Sequence, residues 1–351
     1  MSRYGQRSTT FNPTALLTVL LLCRIPICAA ADKIQIAPVE NCTTAFAGEE
    51  FKVSMQIIAA EGEAGVPGGT LQWSHSANQR TIAKGEVQLN GGPSTKADFV
   101  LRSPELRDGV IFATTVTTDF VPQGKTEAAA TLQRTLTLFP RNPLADRSEW
   151  AKSLDIELFD PTENTAPVFE DLKLPYRTVR NVSVVDDPRQ AGIVIIGEGT
   201  SLVKYRALVE TAMNAAASGR RIIMLAPSEG GFSLPGTIDD GKPNRAFPGE
   251  LRFSGTQVIT QLDKRLDAKS WIGTGNVIPS RLLKIESRRG RVEAHVSNTA
   301  PGWPWLEVRF PDTNGVFIIC GFQIIKHWEN GPTPRFLLVR ILESLQGNLK
   351  Q

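Results

Sequence analysis

The acids in the second half of the chain have the clearest potential for chemistry. Asp160 and Glu163 follow the apolar segment Leu154-Asp155-Ile156-Glu157-Leu158-Phe159, Glu198 follows Ile193-Val194-Ile195-Ile196, and Ser228 and Glu229 follow residues 221–227. Carboxylates just beyond the ends of buried parallel strands converge on one rim, where open sheets bind ligands. Two such groups on opposite sides of a glycosidic bond run its hydrolysis, one as general acid and one as base or nucleophile. Solvated loop acids have the same pattern. Trp303 and Trp305, in Gly302-Trp303-Pro304-Trp305, offer flat faces for stacking a sugar, and Trp271 and Trp328 lie in the same half. Large aromatics are equally the usual filling of a core.

Other chemistries have less to work with. Ser201-Leu202-Val203-Lys204 has a Ser-x-x-Lys spacing at a helix start, where Thr200 or Ser201 serves as an N-cap. No Gly-x-Ser-x-Gly elbow is present. Gly197-Glu198-Gly199 follows a strand, but Leu202 stands where a dinucleotide loop needs its third glycine, so a chain-reversing turn is expected. His75, His295 and His327 are scattered, and Asp239-Asp240-Gly241 reads as a polar loop tip. No metal site and no cofactor follow from that set.

The elements that must position these groups fall into two patterns. From 33 to 140 the chain alternates with a period of two, with Phe51, Val53, Met55 and Ile57 on one strand face and Gly- or Pro-bearing turns at 66–69, 90–93 and 122–124. About seven short strands at such spacing predict an all-β sandwich of immunoglobulin type over 32–140, with Trp73 buried on its third strand. Residues 141–150 hold Pro143 and several polar groups and suit a linker. Beyond it the runs 193–196, 222–227 and 315–320 are continuously apolar, as in strands covered on both faces. The segment 202–218 recurs near 3.6 and ends at Gly219, which predicts a helix between two parallel strands. Residues 336–345 predict a terminal amphipathic helix.

Three stretches carry a resemblance to a known family. They are Ala191-Gly192-Ile193-Val194-Ile195-Ile196-Gly197-Glu198-Gly199 with the helix and strand after it, Gly302-Trp303-Pro304-Trp305-Leu306-Glu307-Val308, and Gly315-Val316-Phe317-Ile318-Ile319-Cys320-Gly321-Phe322-Gln323 followed by Pro334-Arg335-Phe336-Leu337-Leu338. In this order they resemble a class I glutamine amidotransferase-like domain of the divergent kind attached to secreted bacterial glycoside hydrolases. The resemblance implies an α/β doubly wound, flavodoxin-like fold over 151–351. It also implies a nucleophilic cysteine on a Gly-x-Cys-x-Gly elbow, which this chain lacks. Residues 322–325 are expected to continue the strand of Cys320, leaving that thiol buried and inert.

Residues 1–31 read as a secretion leader. Arg3 and Arg7 precede an apolar stretch over 15–22, and Ala29-Ala30-Ala31 supplies a cleavage site. Arg24 and Pro26 interrupt the run short of the ~20 residues a membrane span needs. The chain is formally +3, and the leader holds Arg3, Arg7 and Arg24 without an acid, so the mature protein is neutral and lacks the basic footprint of nucleic-acid binding. Of four cysteines only Cys42 and Cys320 remain after cleavage, which is no disulfide framework. The resulting expectation is a secreted or periplasmic, non-catalytic binding or assembly protein whose partner is a carbohydrate or an extracytoplasmic protein. The alternative is a glycan hydrolase working through carboxylates at the sheet rim.

Overall fold

The computed structural model describes residues 34–40, 43–63, 65–181, 192–234, 248–268, 279–288, 291–299 and 301–347. The leader, Cys42, Asp239, Asp240 and Trp271 lie outside the described residues.

The first half is built from eight strands: β1 (Ile34–Pro38), β2 (Thr44–Phe46), β3 (Glu50–Ala59), β4 (Gly69–Ala77), β5 (Arg80–Leu89), β6 (Ser94–Arg102), β7 (Phe112–Pro122) and β8 (Ala130–Phe139). They form two sheets, ordered β1-β3-β6 and β2-β8-β7-β4-β5. One core lies between them: Met55, Ile57, Phe99 and Leu101 from the first sheet meet Leu71, Phe120, Leu136 and Leu138 from the second. The alternation in β3 is therefore an inward face. Trp73 is only half-buried and stacks on Phe99, with ring centroids 5.0 Å apart. Its indole covers Gly85 on the neighbouring strand, where a Cβ would fall 2.6 Å from the ring.

The second half contains α1 (Ser148–Ser153), β9 (Ile156–Phe159), α2 (Ala166–Asp171), β10 (Tyr176–Thr178), β11 (Ile193–Ile196), α3 (Leu208–Ala217), β12 (Arg221–Leu225), β13 (Gly231–Ser233), β14 (Glu250–Ser254), α4 (Gln257–Leu262), β15 (Leu282–Arg288), β16 (Arg291–Ser297), β17 (Trp305–Phe310), β18 (Gly315–Cys320) and α5 (Pro332–Leu345). A seven-stranded sheet runs β10-β9-β11-β12-β18-β17-β14. Its first five strands pair in parallel; β17 is antiparallel to β18, and β14 is antiparallel to β17. Every residue of β9, β11 and β18 is buried, because apolar clusters cover both sheet faces.

The expected C-terminal α/β doubly wound, flavodoxin- or amidotransferase-like fold is corrected here. The chain is strand-rich, 44% strand against 16% helix, with several sheets and only five helices among the described residues. A doubly wound sheet takes a helix on its crossovers; here α1, α2 and α4 have six residues each. The long excursion between β12 and β18 holds two antiparallel-paired strands of the main sheet, β14 and β17, of which β17 runs against the other six, and a separate sheet ordered β13-β16-β15. The reason lies in that excursion's residues. Leu282–Arg288 and Arg291–Ser297 pair residue by residue as a hairpin, and Leu283 and Ala294 point into the protein where helix side chains would otherwise pack.

Two local expectations also shift. The helix expected over 202–218 starts at Leu208, with turns over 202–207. It ends as expected at Gly219, whose φ of +101° lets the Gly219 and Arg220 amides return to the carbonyls of Ala216 and Ala215. The strand expected to run through 322–325 stops at Cys320, and residues 324–329 form successive turns instead.

Candidate functional site

The carboxyl ends of β9, β11, β12 and β18 face the same way, since those strands pair in parallel. Glu198, the second residue beyond β11, is 7% exposed. Its backbone is tied down on both sides: its N–H donates to Thr165 Oγ1 at 3.0 Å, and its carbonyl accepts from Thr162 Oγ1 at 2.8 Å. The flanking glycines are required by geometry. A Cβ on Gly197 would fall 2.3 Å from Asp160 Oδ1, and Gly199 sits at φ +87°. Gly197-Glu198-Gly199 is thus a chain-reversing turn that aims one carboxylate.

That carboxylate is held by the turn after β18. Oε2 accepts the Ile325 N–H at 2.8 Å and Oε1 accepts the Lys326 N–H at 3.0 Å. Burial pushes the carboxyl up to about 7, although the two amides, Lys326 and Arg281 draw it down in part. Beside it opens a cavity of about 360 Å³, whose wall includes Asn164, Ser228, Arg281, Gln323 and Lys326. Arg281 is fixed at this rim through its backbone. Its N–H donates to the Gly321 carbonyl at 2.7 Å, and a Cβ on Gly321 would fall 2.1 Å from the Arg281 carbonyl oxygen.

The other acids are placed differently. Asp160 Oδ2 accepts the N–H groups of Thr165 (2.7 Å) and Ala166 (2.9 Å), so it caps the first turn of α2. Glu163 is exposed and shares with Asp160 a second cavity of about 610 Å³, lined also by Tyr176 and Tyr205. Glu229 accepts the Ser201 hydroxyl at 2.7 Å, while Ser201 Oγ accepts the Lys204 N–H, which is a capping role. The structure therefore brings Asp160 and Glu163 to one cavity and Glu198 to another.

Among the described residues no tryptophan lines either cavity. Trp305 is 1% exposed within the core, and its indole donates to Glu307. Trp303 is 42% exposed but leans on Phe253, with centroids 6.2 Å apart. Trp328 is buried against Arg335. Cys320 is a buried free thiol that burial pushes far above the thiol range.

The expectation that neither His295 nor His327 is followed two residues on by the Glu of an amidotransferase is wrong for His327, since His327-Trp328-Glu329 has that His-x-Glu spacing. The structure commits Glu329 to Arg335 and Arg141, both at 2.6 Å, and places His327 Nδ1 2.9 Å from the Asn330 side chain. The sequence reading also missed Arg281 and the 325–326 amides. Among the described residues no group of three His, Cys, Asp or Glu side chains could hold a metal ion. No helix among them is long and apolar enough to cross a membrane.

No protein-family model matches the chain, and no curated protein matches it. Solved structures align only in part. Spo0M, a sporulation control protein from Bacillus subtilis, is 15% identical over 34% of this chain and 55% of its own, with a TM-score of 0.24. A superoxide reductase (neelaredoxin) from Ignicoccus hospitalis is 12% identical over 31% and 83%, at 0.22. A β-glucosidase from Listeria innocua is 11% identical over 30% and 16%, also at 0.22. The chain thus spans about half the length of Spo0M, and alignments this loose assign no fold and no activity.

Proposed function

We propose that the protein is a non-catalytic binding protein whose ligand, a small polar molecule of the carbohydrate kind, seats in the cavity beside Glu198. The observation that carries this reading is the arrangement of the Glu198 carboxyl, both oxygens oriented by backbone amides at the edge of a concave, polar site. A volume of about 360 Å³ suits a small-molecule site. Carboxylate, amide, hydroxyl and guanidinium groups on one wall match the alternating donors and acceptors of a polyol. Cysteine chemistry of the amidotransferase kind has no part in the reading, because Cys320 is buried without access.

The test is calorimetric titration of the purified protein with a panel of mono- and disaccharides. Saturable binding that E198Q weakens at least about tenfold supports the reading; a panel that gives no heat overturns it.

A second reading, glycan hydrolysis, draws on the same carboxyl, because a group titrating near 7 suits a general acid. It needs a second carboxyl within roughly 5–10 Å and free to act, and Asp160 is committed to α2. Release of reducing sugar that is lost in E198Q would favour hydrolysis over binding alone.

Export belongs to the proposal on the strength of the leader pattern over 1–31. Amino-terminal sequencing of the protein from the extracytoplasmic fraction, expected to begin at Asp32, tests it.

A further inference from the structure

We propose that the ligand of this cavity is a monoanion, a sugar bearing one carboxylate that sits between Arg281 and Lys326. The inference rests on the cavity reading above and adds the chemical class of the ligand.

Arg281 and Lys326 both line the cavity, and neither forms an ion pair among the described residues. Elsewhere in this half, Arg147, Arg220, Arg309, Arg335 and Arg340 each hold an acid. Two cations held in no ion pair on one concave wall attract an anion more strongly than the same groups in bulk water.

Backbone hydrogen bonds fix the chain at Arg281 and at Lys326, so little main-chain order is lost when a ligand binds. A guanidinium presents a fork that fits a carboxylate in two hydrogen bonds, and the ammonium adds a point charge.

Charge balance separates a carboxylate from a phosphate. Among the described residues Glu198 is the one acid on this wall, and burial pushes its carboxyl up to about 7. Above that pH it is ionised and the two cations leave a single positive charge, which a monoanion neutralises and a phosphate dianion exceeds. Ser228, Asn164 and Gln323 remain for the ligand's hydroxyls.

The experiment is calorimetry on the full chain with D-glucuronate and D-galacturonate, each against its parent hexose, with inorganic phosphate as a further probe. The expected result is binding of one uronate at least about tenfold tighter than its hexose, weakened by salt. K326A, at an exposed side chain, and R281A should each erase that preference, with folding checked by thermal melting. Equal affinity for hexose and uronate would overturn the anion assignment and leave the cavity reading standing. Phosphate binding tighter than either uronate would also overturn it. No binding of any sugar, charged or neutral, would remove both.

Discussion

The guanidinium of Arg335 lies against the ring of Phe46, its carbon 5.1 Å from the ring centroid. The two residues belong to opposite halves of the chain. Arg335 is 2% exposed and spends its donors on the Trp328 carbonyl (3.1 Å), the Arg141 carbonyl (3.2 Å) and Glu329 (2.6 Å). Phe139 of β8 packs on Phe336 of α5 beside it, at 4.6 Å between centroids. The sandwich and the larger sheet therefore share buried groups, which the expected 141–150 linker did not suggest.

Truncating Arg335 removes a donor from two carbonyls and leaves Glu329 paired with Arg141 alone. R335A should lower unfolding free energy by about 2–4 kcal/mol, read by urea denaturation. R335K should recover little, since an ammonium cannot reproduce the fork. A cycle with F46A should give a coupling of about 1 kcal/mol; additive losses would show that the ring contact contributes nothing.

Glu198 makes stability fall with rising pH. Its ordinary value is 4.5 and the folded protein holds it at about 7, so between these limits the native state keeps a proton that the unfolded chain has released. The stability favoured at acid pH is lost as pH rises through this window and is gone above it, a change of about 3 kcal/mol. E198Q carries no charge at any pH. Its stability relative to the parent should therefore improve from pH 4.5 to pH 8, as measured by melting temperatures. A constant difference would show that the carboxyl is not held up.

His75 acts in the opposite direction. Thr114 Oγ1 donates to the Leu136 carbonyl at 3.0 Å, so His75 Nε2, 2.9 Å away, must be the donor to that hydroxyl, and Nδ1 is left without a partner. The ring is fully buried, and desolvation lowers its pKa below 6.5. The unfolded chain takes up a proton near pH 6.5 that the folded core refuses, so stability drops as pH falls through that value. H75Q should flatten the acid limb between pH 7 and pH 5 while lowering stability throughout. An unchanged acid slope would assign that limb to other groups.

Asp160 should prove structural. D160A removes the acceptor for the first amides of α2 and should cost about 1 kcal/mol. D160N keeps an oxygen in place and should cost less. Neither should change the affinity of a ligand in the Glu198 cavity, whose wall does not include Asp160; a loss there of tenfold or more would unite the two cavities.

What could be read from the sequence was local. The alternation at Phe51, Val53, Met55 and Ile57 gave β3 its inward face, the apolar runs at 193–196 and 315–320 gave fully buried strands, and Gly219 marked the end of α3. What failed was long-range. The hairpin of β15 and β16 has a weaker pattern, and its place on the sheet depends on contacts far along the chain. Glu198 was visible as a residue type, but its partners are main-chain amides, which leave no side-chain signature. Arg281 reaches the rim only because Ser280 bridges to Phe322 beyond Cys320.

The clasp on Glu198 closes a loop of 127 residues. Contacts so distant along the chain pay their closure entropy late and slow folding. The cavity is therefore a late product of folding, absent from any intermediate in which β18 has not yet joined β12. Ligand uptake would count completed molecules, where a far-ultraviolet signal from the strands counts partly folded ones as well.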